Sequence, residues 1–206
     1  MKLKPSARSI EALIGYETGG RAYYEARLSR PTWPGGQSGV TVGVGYDLGY
    51  RTPAAIARDW RGCVGDVVAL ELAGVAGVKG TRAQRAVRCL RDVVIPWESA
   101  LEVFRGVTLP DWIGRTGQAL PGAERLHPDV QGVLVSLCYN RGTGMSGESR
   151  REMRAVRNAV GRGDVAEIAR QIRRMQRLWV GKGLDGILRR REAEARMVEE
   201  AARGDR

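Results

Sequence analysis

Ile10, Leu13, Ile14 and Glu17 fall at the i, i+3, i+4, i+7 spacing of one helical face, and Gly19-Gly20 follows as a stop signal. A carboxylate at the end of an apolar face looks into the interior or a cleft. Desolvation there and the negative end of the helix dipole both favour the neutral acid, the form that serves as a general acid. The alternative is a rim glutamate paired with Arg21. A second run, Gly39-Val40-Thr41-Val42-Gly43-Val44-Gly45-Tyr46-Asp47, alternates so that Thr41 and Asp47 share a side. Glycoside hydrolysis needs one carboxylic acid to protonate the leaving oxygen and one carboxylate to activate water or attack the sugar. Glu17 and Asp47 supply those types, and Thr41 supplies a hydroxyl that can orient the water. The alternative for Asp47 is a turn residue ahead of Leu48-Gly49.

Four further residues are candidates for substrate contact. Trp33 sits in a loop rich in Pro and Gly between the two carboxylates, where it either stacks on a sugar ring or anchors the loop. Tyr46 closes the Gly-rich run. Asn140 and Arg141 end an apolar segment and either bind glycan or cap a helix. His127, the only histidine, precedes Pro128 at a helix start and reads as a capping or surface residue rather than a catalyst. No His and Cys cluster has metal-ligand spacing, so neither a metal nor another cofactor is expected.

The elements that must hold these residues follow from the pattern. A short first helix ends at Gly19. From Arg21 to Tyr50 the texture suits a small twisted hairpin or sheet. Beyond Pro53 the pattern is helical: Thr81 can cap a helix carrying Ala83, Val87, Leu90 and Val94, Pro96-Trp97 opens another, and Val130–Tyr139 reads as a central buried helix between Pro128-Asp129 and Asn140-Arg141-Gly142. The last helix runs from about Asp185 to Ala202, with Arg189-Arg190-Arg191 paired to Glu192, Glu194 and Glu199. Trp60, Trp97, Trp112 and Trp179 fall at helix-packing positions, and Cys63, Cys89 and Cys138 read as buried thiols. The expectation is one α+β domain over residues 1–206, with a sheet subregion near 21–50, a helical subregion near 53–202 and a cleft where they meet.

With 34 Lys and Arg against 23 Asp and Glu, the net charge is +11, spread from Arg8 to Arg206. The expected partner is a polyanion. Nucleic acid, an anionic membrane surface and an anionic cell wall all satisfy that condition, but no zinc knuckle, aromatic stacking strand or helix-turn-helix favours nucleic acid. No stretch approaches the roughly 20 apolar residues of a membrane span. Met1-Lys2-Leu3-Lys4-Pro5 opens no signal-like apolar core, which predicts synthesis in the cytoplasm without a signal peptide.

A glutamate ending the first helix, the strand Thr41-Val42-Gly43-Val44-Gly45, the segment Leu134–Gly142 and Gly183-Leu184 leading to Arg189-Arg190-Arg191-Glu192-Ala193-Glu194-Ala195 together resemble the lysozymes of tailed bacteriophages. The resemblance implies a lysozyme-like fold and a monomeric muramidase acting on peptidoglycan glycan strands, with Glu17 as general acid and Thr41 as the active-site threonine. It implies action on the wall, in the periplasm or outside the producing cell, as an endolysin or an antibacterial toxin. Two positions depart from the family. Its aspartate shortly after the glutamate falls at Ala26 here, beside Glu25, and its histidine closing the Gly-rich strand is Tyr46. A carboxylate six residues after the threonine resembles instead the active-site variant of pesticin, which maps onto Asp47. Glu25 ranks below Asp47, because in a strand a one-residue displacement turns a side chain to the opposite face. A lytic transglycosylase, a glycan binder without activity and a basic nucleic-acid-binding protein are the competing functions.

If the charge gathers the protein on an anionic wall, cleavage of whole walls falls as salt rises, because the attraction is screened over about 10 Å at 0.1 M. Short soluble glycan fragments should show a weaker dependence; rates on both substrates over a salt series check this.

Overall fold

The computed structural model describes residues 2–204. It is mostly helical with one two-stranded antiparallel sheet, compatible with the α+β class. The contacts group into two compact units, Ile14–Pro110 and a second made of the segments up to Leu13 and from Asp111 onward. The change of texture at Pro53 therefore lies inside the first unit. The helix that directly follows Pro53 packs with the small sheet through Trp60.

Helix α1 (Ala7–Thr18), which belongs to the first unit only from Ile14 onward, is closed by Thr18. The Thr18 hydroxyl donates to Ile14 O (2.7 Å) and accepts from Gly20 N (3.1 Å). Gly19 and Gly20, at φ +67° and +90°, then redirect the chain. Residues Arg21–Arg27 form helix α2 where a sheet texture was expected. Tertiary packing decides this: Tyr24 is buried, donates to Ile95 O (3.1 Å) and tilts its ring against Trp97 at 5.3 Å. Two strands follow, β1 (Thr41–Val42) and β2 (Tyr46–Asp47), joined by Gly43-Val44-Gly45 with both glycines at positive φ.

Helix α3 (Pro53–Ala73) starts at a cap in which Thr52 Oγ1 accepts from Ala55 N (3.2 Å), and it breaks at Gly65, whose φ of 81° and ψ of 167° are not helical. Its Trp60 is fully buried beneath the hairpin, edge-on to the Tyr46 ring at 5.5 Å. A Cβ on Gly43 would come within 2.9 Å of the Trp60 ring, so the turn rests directly on the indole. Thr81 is the first residue of helix α4 (Thr81–Ala86) rather than its cap, a place taken by Gly80 at φ +62°, and the helix ends short of Leu90 and Val94. Helix α5 (Trp97–Val103) is tied to α3 by Ser99 Oγ donating to Cys63 O at 2.7 Å. A π-helical turn, Phe104–Thr108, leads into α6 (Leu109–Ala119).

The second unit is built around α7 (Pro128–Arg141), in which every residue from Asp129 to Cys138 is buried. His127 caps it as expected, its Nδ1 accepting from Asp129 N at 3.2 Å, and Gly142 ends it at φ +72°. Helices α8 (Arg151–Arg162), α9 (Val165–Arg174) and α10 (Asp185–Gly204) complete the unit. Buried Glu194 receives Ser136 Oγ (2.6 Å), Arg190 Nε (3.2 Å) and Arg191 Nη2 (3.1 Å). The expected pairing of Arg190 and Arg191 with Glu194 is thus present, whereas Glu192 and Glu199 turn to Arg173 of α9. Those hydrogen bonds hold both carboxylates below the ordinary range and overcome the upward push of burial.

Cys138 is buried, Cys63 half-buried and Cys89 exposed, so the expectation of three core thiols is corrected at Cys89. Trp60 is a core group; Trp97, Trp112 and Trp179 are half-buried. Among the described residues no helix is long and apolar enough to cross a membrane.

One close helix contact in the second unit is made by a glycine. A Cβ on Gly132 would lie 1.8 Å from Ser9 Oγ and 2.2 Å from Ser9 Cβ. Gly132→Ala should therefore destabilise the protein by about 1–3 kcal/mol through overpacking. Gly114→Ala in α6, with nothing within 4 Å of the added carbon, should be neutral or gain up to about 1 kcal/mol. Denaturant midpoints of the two variants test the contrast.

Candidate functional site

The hairpin brings two of the expected residues together. Thr41 pairs with Asp47 and Val42 with Tyr46 in antiparallel register. Leu48 N donates to Val40 O at 2.9 Å, which makes Val40 and Leu48 a hydrogen-bonded pair. Thr41 and Asp47, one step along, are then a non-hydrogen-bonded pair, the kind whose side chains approach most closely on one face. The backbone of Thr41 is instead engaged on its other side, exchanging two hydrogen bonds with Thr32 (2.8 and 3.0 Å). The expectation that Thr41 and Asp47 share a side holds, through pairing across a turn rather than through one continuous strand.

The Asp47 carboxylate is fixed by the backbone around it. Gly39 N donates to Oδ1 (3.0 Å) and Oδ2 (3.2 Å), and Gly49 N donates to Oδ1 (2.8 Å). Both glycines are required by space: a Cβ on Gly39 would sit 2.4 Å from Asp47 Oδ1, and one on Gly49 would sit 2.6 Å from Gly39 Cα. Asp47 thus fills the turn-residue role, capping the 3-10 turn Leu48–Tyr50, while its half-buried carboxylate stays on the Thr41 face.

Glu17 lies in the last turn of α1, half-buried, in the same compact unit as the hairpin. Arg21 pairs with Glu25 and Glu98, each at 2.8 Å. Glu25 is exposed and helical, so its side chain is set by the turn of α2 and not by strand parity. The strand argument for ranking it below Asp47 does not apply. Its engagement with Arg21 on an exposed helix face takes its place.

The remaining candidates separate. Trp33 is half-buried and its Nε1 donates to Ser38 O at 3.1 Å, the loop-anchoring geometry. Tyr46 is only 2% exposed, so it offers no surface to a substrate. Its hydroxyl donates to Asp59 Oδ2 (2.8 Å), and burial, followed by Asp59, pushes that hydroxyl well above the usual phenol range. The expectation of substrate contact at Tyr46 is corrected: the ring is needed against Trp60.

Asn140 and Arg141 belong to the other unit, at the end of α7. Asn140 is exposed and its Oδ1 meets Arg191 Nη2 at 3.5 Å. Arg141 lies over the Trp179 ring at 5.1 Å and donates to Ser149 O. Burial, then Arg150, lowers its pKa. Arg141 closes the loop that follows α7, and Asn140 keeps an open side.

Two neighbours of the site carried no sequence signal of their own. Gly39 serves Asp47 through its N–H alone, and no side-chain pattern announces such a role. Tyr50 is exposed just beyond the carboxylate, in a position that only the 3-10 turn defines. Among the described residues no group of His, Cys, Asp and Glu side chains is arranged to hold a metal ion.

Residues 12–109 match a family model described as a domain of unknown function (DUF8812). The match nearly coincides with the unit Ile14–Pro110, which carries Glu17, Thr41 and Asp47. A search among curated proteins finds no match to the chain.

Substitutions at Asp47 separate its turn-capping role from the chemical role expected of it. Asp47→Ala leaves the Gly39 and Gly49 N–H groups without an acceptor and should cost about 2–4 kcal/mol. Asp47→Asn retains one oxygen able to accept both and should cost only about 1 kcal/mol. Urea unfolding of the two variants checks the difference, and the folded Asn variant then reports the chemical role in an activity assay.

Proposed function

We propose that the chain is a peptidoglycan hydrolase with a lysozyme-like fold, cleaving the β-1,4 bond between N-acetylmuramic acid and N-acetylglucosamine. The observation that carries the reading is the Thr41–Asp47 pair, a hydroxyl and a positioned carboxylate on one face of the hairpin, in the same compact unit as Glu17. Glu17 protonates the glycosidic oxygen as the bond breaks. Asp47 stabilises the positive charge that develops on the sugar or takes the proton of the attacking water, which the Thr41 hydroxyl orients. No cofactor enters this chemistry. The +11 charge suits accumulation on an anionic wall, the setting of an endolysin or an antibacterial toxin.

A second reading is favoured by one specific observation. Both oxygens of Asp47 already accept backbone N–H groups, which reduces what the carboxylate can do for a water. A lytic transglycosylase needs only the acid, and the sugar's own hydroxyl closes an anhydro ring. Mass spectrometry of the released ends distinguishes the two, since the hydrolase product carries one additional water.

Glu17→Gln is nearly isosteric and cannot supply a proton. With the fold retained by circular dichroism, clearing of purified peptidoglycan should fall by about 100-fold or more. A folded Gln variant that cleaves within tenfold of wild type removes Glu17 from the chemistry and the proposal with it.

A further inference from the structure

Tyr50 is 61% exposed, yet it is held on three sides. Its backbone ends the 3-10 turn that Asp47 caps through Gly49 N. Its hydroxyl donates to Gln37 O at 3.2 Å. The ammonium of Lys79 stands 3.8 Å from the ring centroid and occupies one face of the ring. Lys79 is itself positioned by its backbone, which bridges Gly39, the residue that donates to Asp47. One strand end, one carboxylate and one aromatic ring thus form a single connected arrangement.

Chain geometry limits how far the ring can be from the candidate chemistry. Gly49 N is 2.8 Å from Asp47 Oδ1. One N–Cα bond and one Cα–Cα step beyond it put Tyr50 Cα within about 8 Å of that oxygen. A glycan passing Asp47 therefore has Tyr50 within reach of an adjoining sugar. The ring has already given up rotamer freedom to Gln37 and Lys79, so stacking a pyranose on it has little ordering entropy left to lose. The adjacent ammonium adds selectivity: its charge suits a sugar whose substituents are anionic, as the stem peptides on muramic acid are, and has no counterpart in a neutral chitin-type chain.

We propose that Tyr50 and Lys79 form a glycan subsite next to Asp47, with Tyr50 stacking on a pyranose and Lys79 pairing with a carboxylate of the acidic stem peptide. This rests on the reading of the chain as a peptidoglycan-cleaving enzyme and adds its choice between peptide-bearing and neutral glycans. Stacking depends on the ring alone, whereas selectivity depends on the ammonium, so the two residues should fail in different ways.

The test measures binding by calorimetry to full-length protein carrying Glu17→Gln, using soluble peptide-bearing peptidoglycan oligosaccharides and, separately, oligomers of N-acetylglucosamine. Tyr50→Ala should weaken both ligands by roughly tenfold or more, the scale of a truncated aromatic anchor. Tyr50→Phe, which keeps the ring, should stay within about threefold of the parent for both. Lys79→Met should weaken only the peptide-bearing ligand, by roughly fivefold, and Lys79→Arg should restore it. Unchanged binding in Tyr50→Ala, equal weakening of both ligands in Lys79→Met, or no binding of either ligand by the parent overturns the subsite. The catalytic reading is judged separately by whether the Glu17→Gln protein clears peptidoglycan. Clearance with the binding pattern intact removes Glu17 as the acid and leaves the subsite standing. Loss of clearance without the pattern does the reverse.

Discussion

The carboxylate of Asp47 bridging the N–H groups of Gly39 and Gly49 is the interaction on which the candidate site depends. Two strands of two residues each cannot hold their own register in water, since an isolated hairpin is marginal even when longer. Here the register is imposed from both ends. At the turn, Gly43 rests on Trp60 with no room for a side chain. At the open end, Asp47 gathers the residues before β1 and after β2 onto one acceptor. Thr41 is held opposite Asp47 as a consequence, and the 3-10 turn that presents Tyr50 starts from the same carboxylate.

The second unit is organised by different physics. A helix buried over ten successive residues has no polar face of its own, so α7 needs neighbours on all sides. Its buried Ser136 then meets the charges of α10, where Glu194 takes hydrogen bonds from that serine, Arg190 and Arg191. A buried carboxylate so supplied avoids the penalty of a lone interior charge, and removing any one donor would expose part of it. Close approach at Gly132 and charge pairing at Glu194 fix two faces of one helix by unrelated means.

Much of this was readable in the residues. The end of α1 at its glycines, the cap at His127, the limits of α7 and the last helix all follow from local signals that tertiary packing leaves in place. Residues 21–27 differ from the expectation because the run from Arg21 to Tyr50 reads as one hairpin texture, while burial of Tyr24 against Ile95 and Trp97 is a long-range fact. Tyr46 was misread for a related reason: an aromatic ending a Gly-rich strand suits a ligand as well as it suits a core, and only the position of Trp60 decides. At the site, the residue types at 17, 41 and 47 were visible. The acceptor role of Asp47 was visible only as the alternative of a turn residue, because its donors are backbone groups of glycines that carry no chemical label.

The turn-capping role of Asp47 and the catalytic role proposed for it are compatible on hydrogen-bonding capacity alone. A carboxylate offers about four lone-pair positions. Oδ1 receives two N–H groups and is filled, whereas Oδ2 shares only the Gly39 N–H, at the longer distance of 3.2 Å. One position on Oδ2 is left for a water, and Thr41 is the cross-strand neighbour whose hydroxyl can hold that water from a second side. On the proposed reading, a water held between the fixed carboxylate and the Thr41 hydroxyl would lose little further freedom when it attacks, which suits a hydrolase. A transglycosylase has no use for a second ordering group at that position. Within the proposed function, the pairing of Thr41 with Asp47, more than the carboxylate alone, is therefore what favours hydrolysis over the transglycosylase reading.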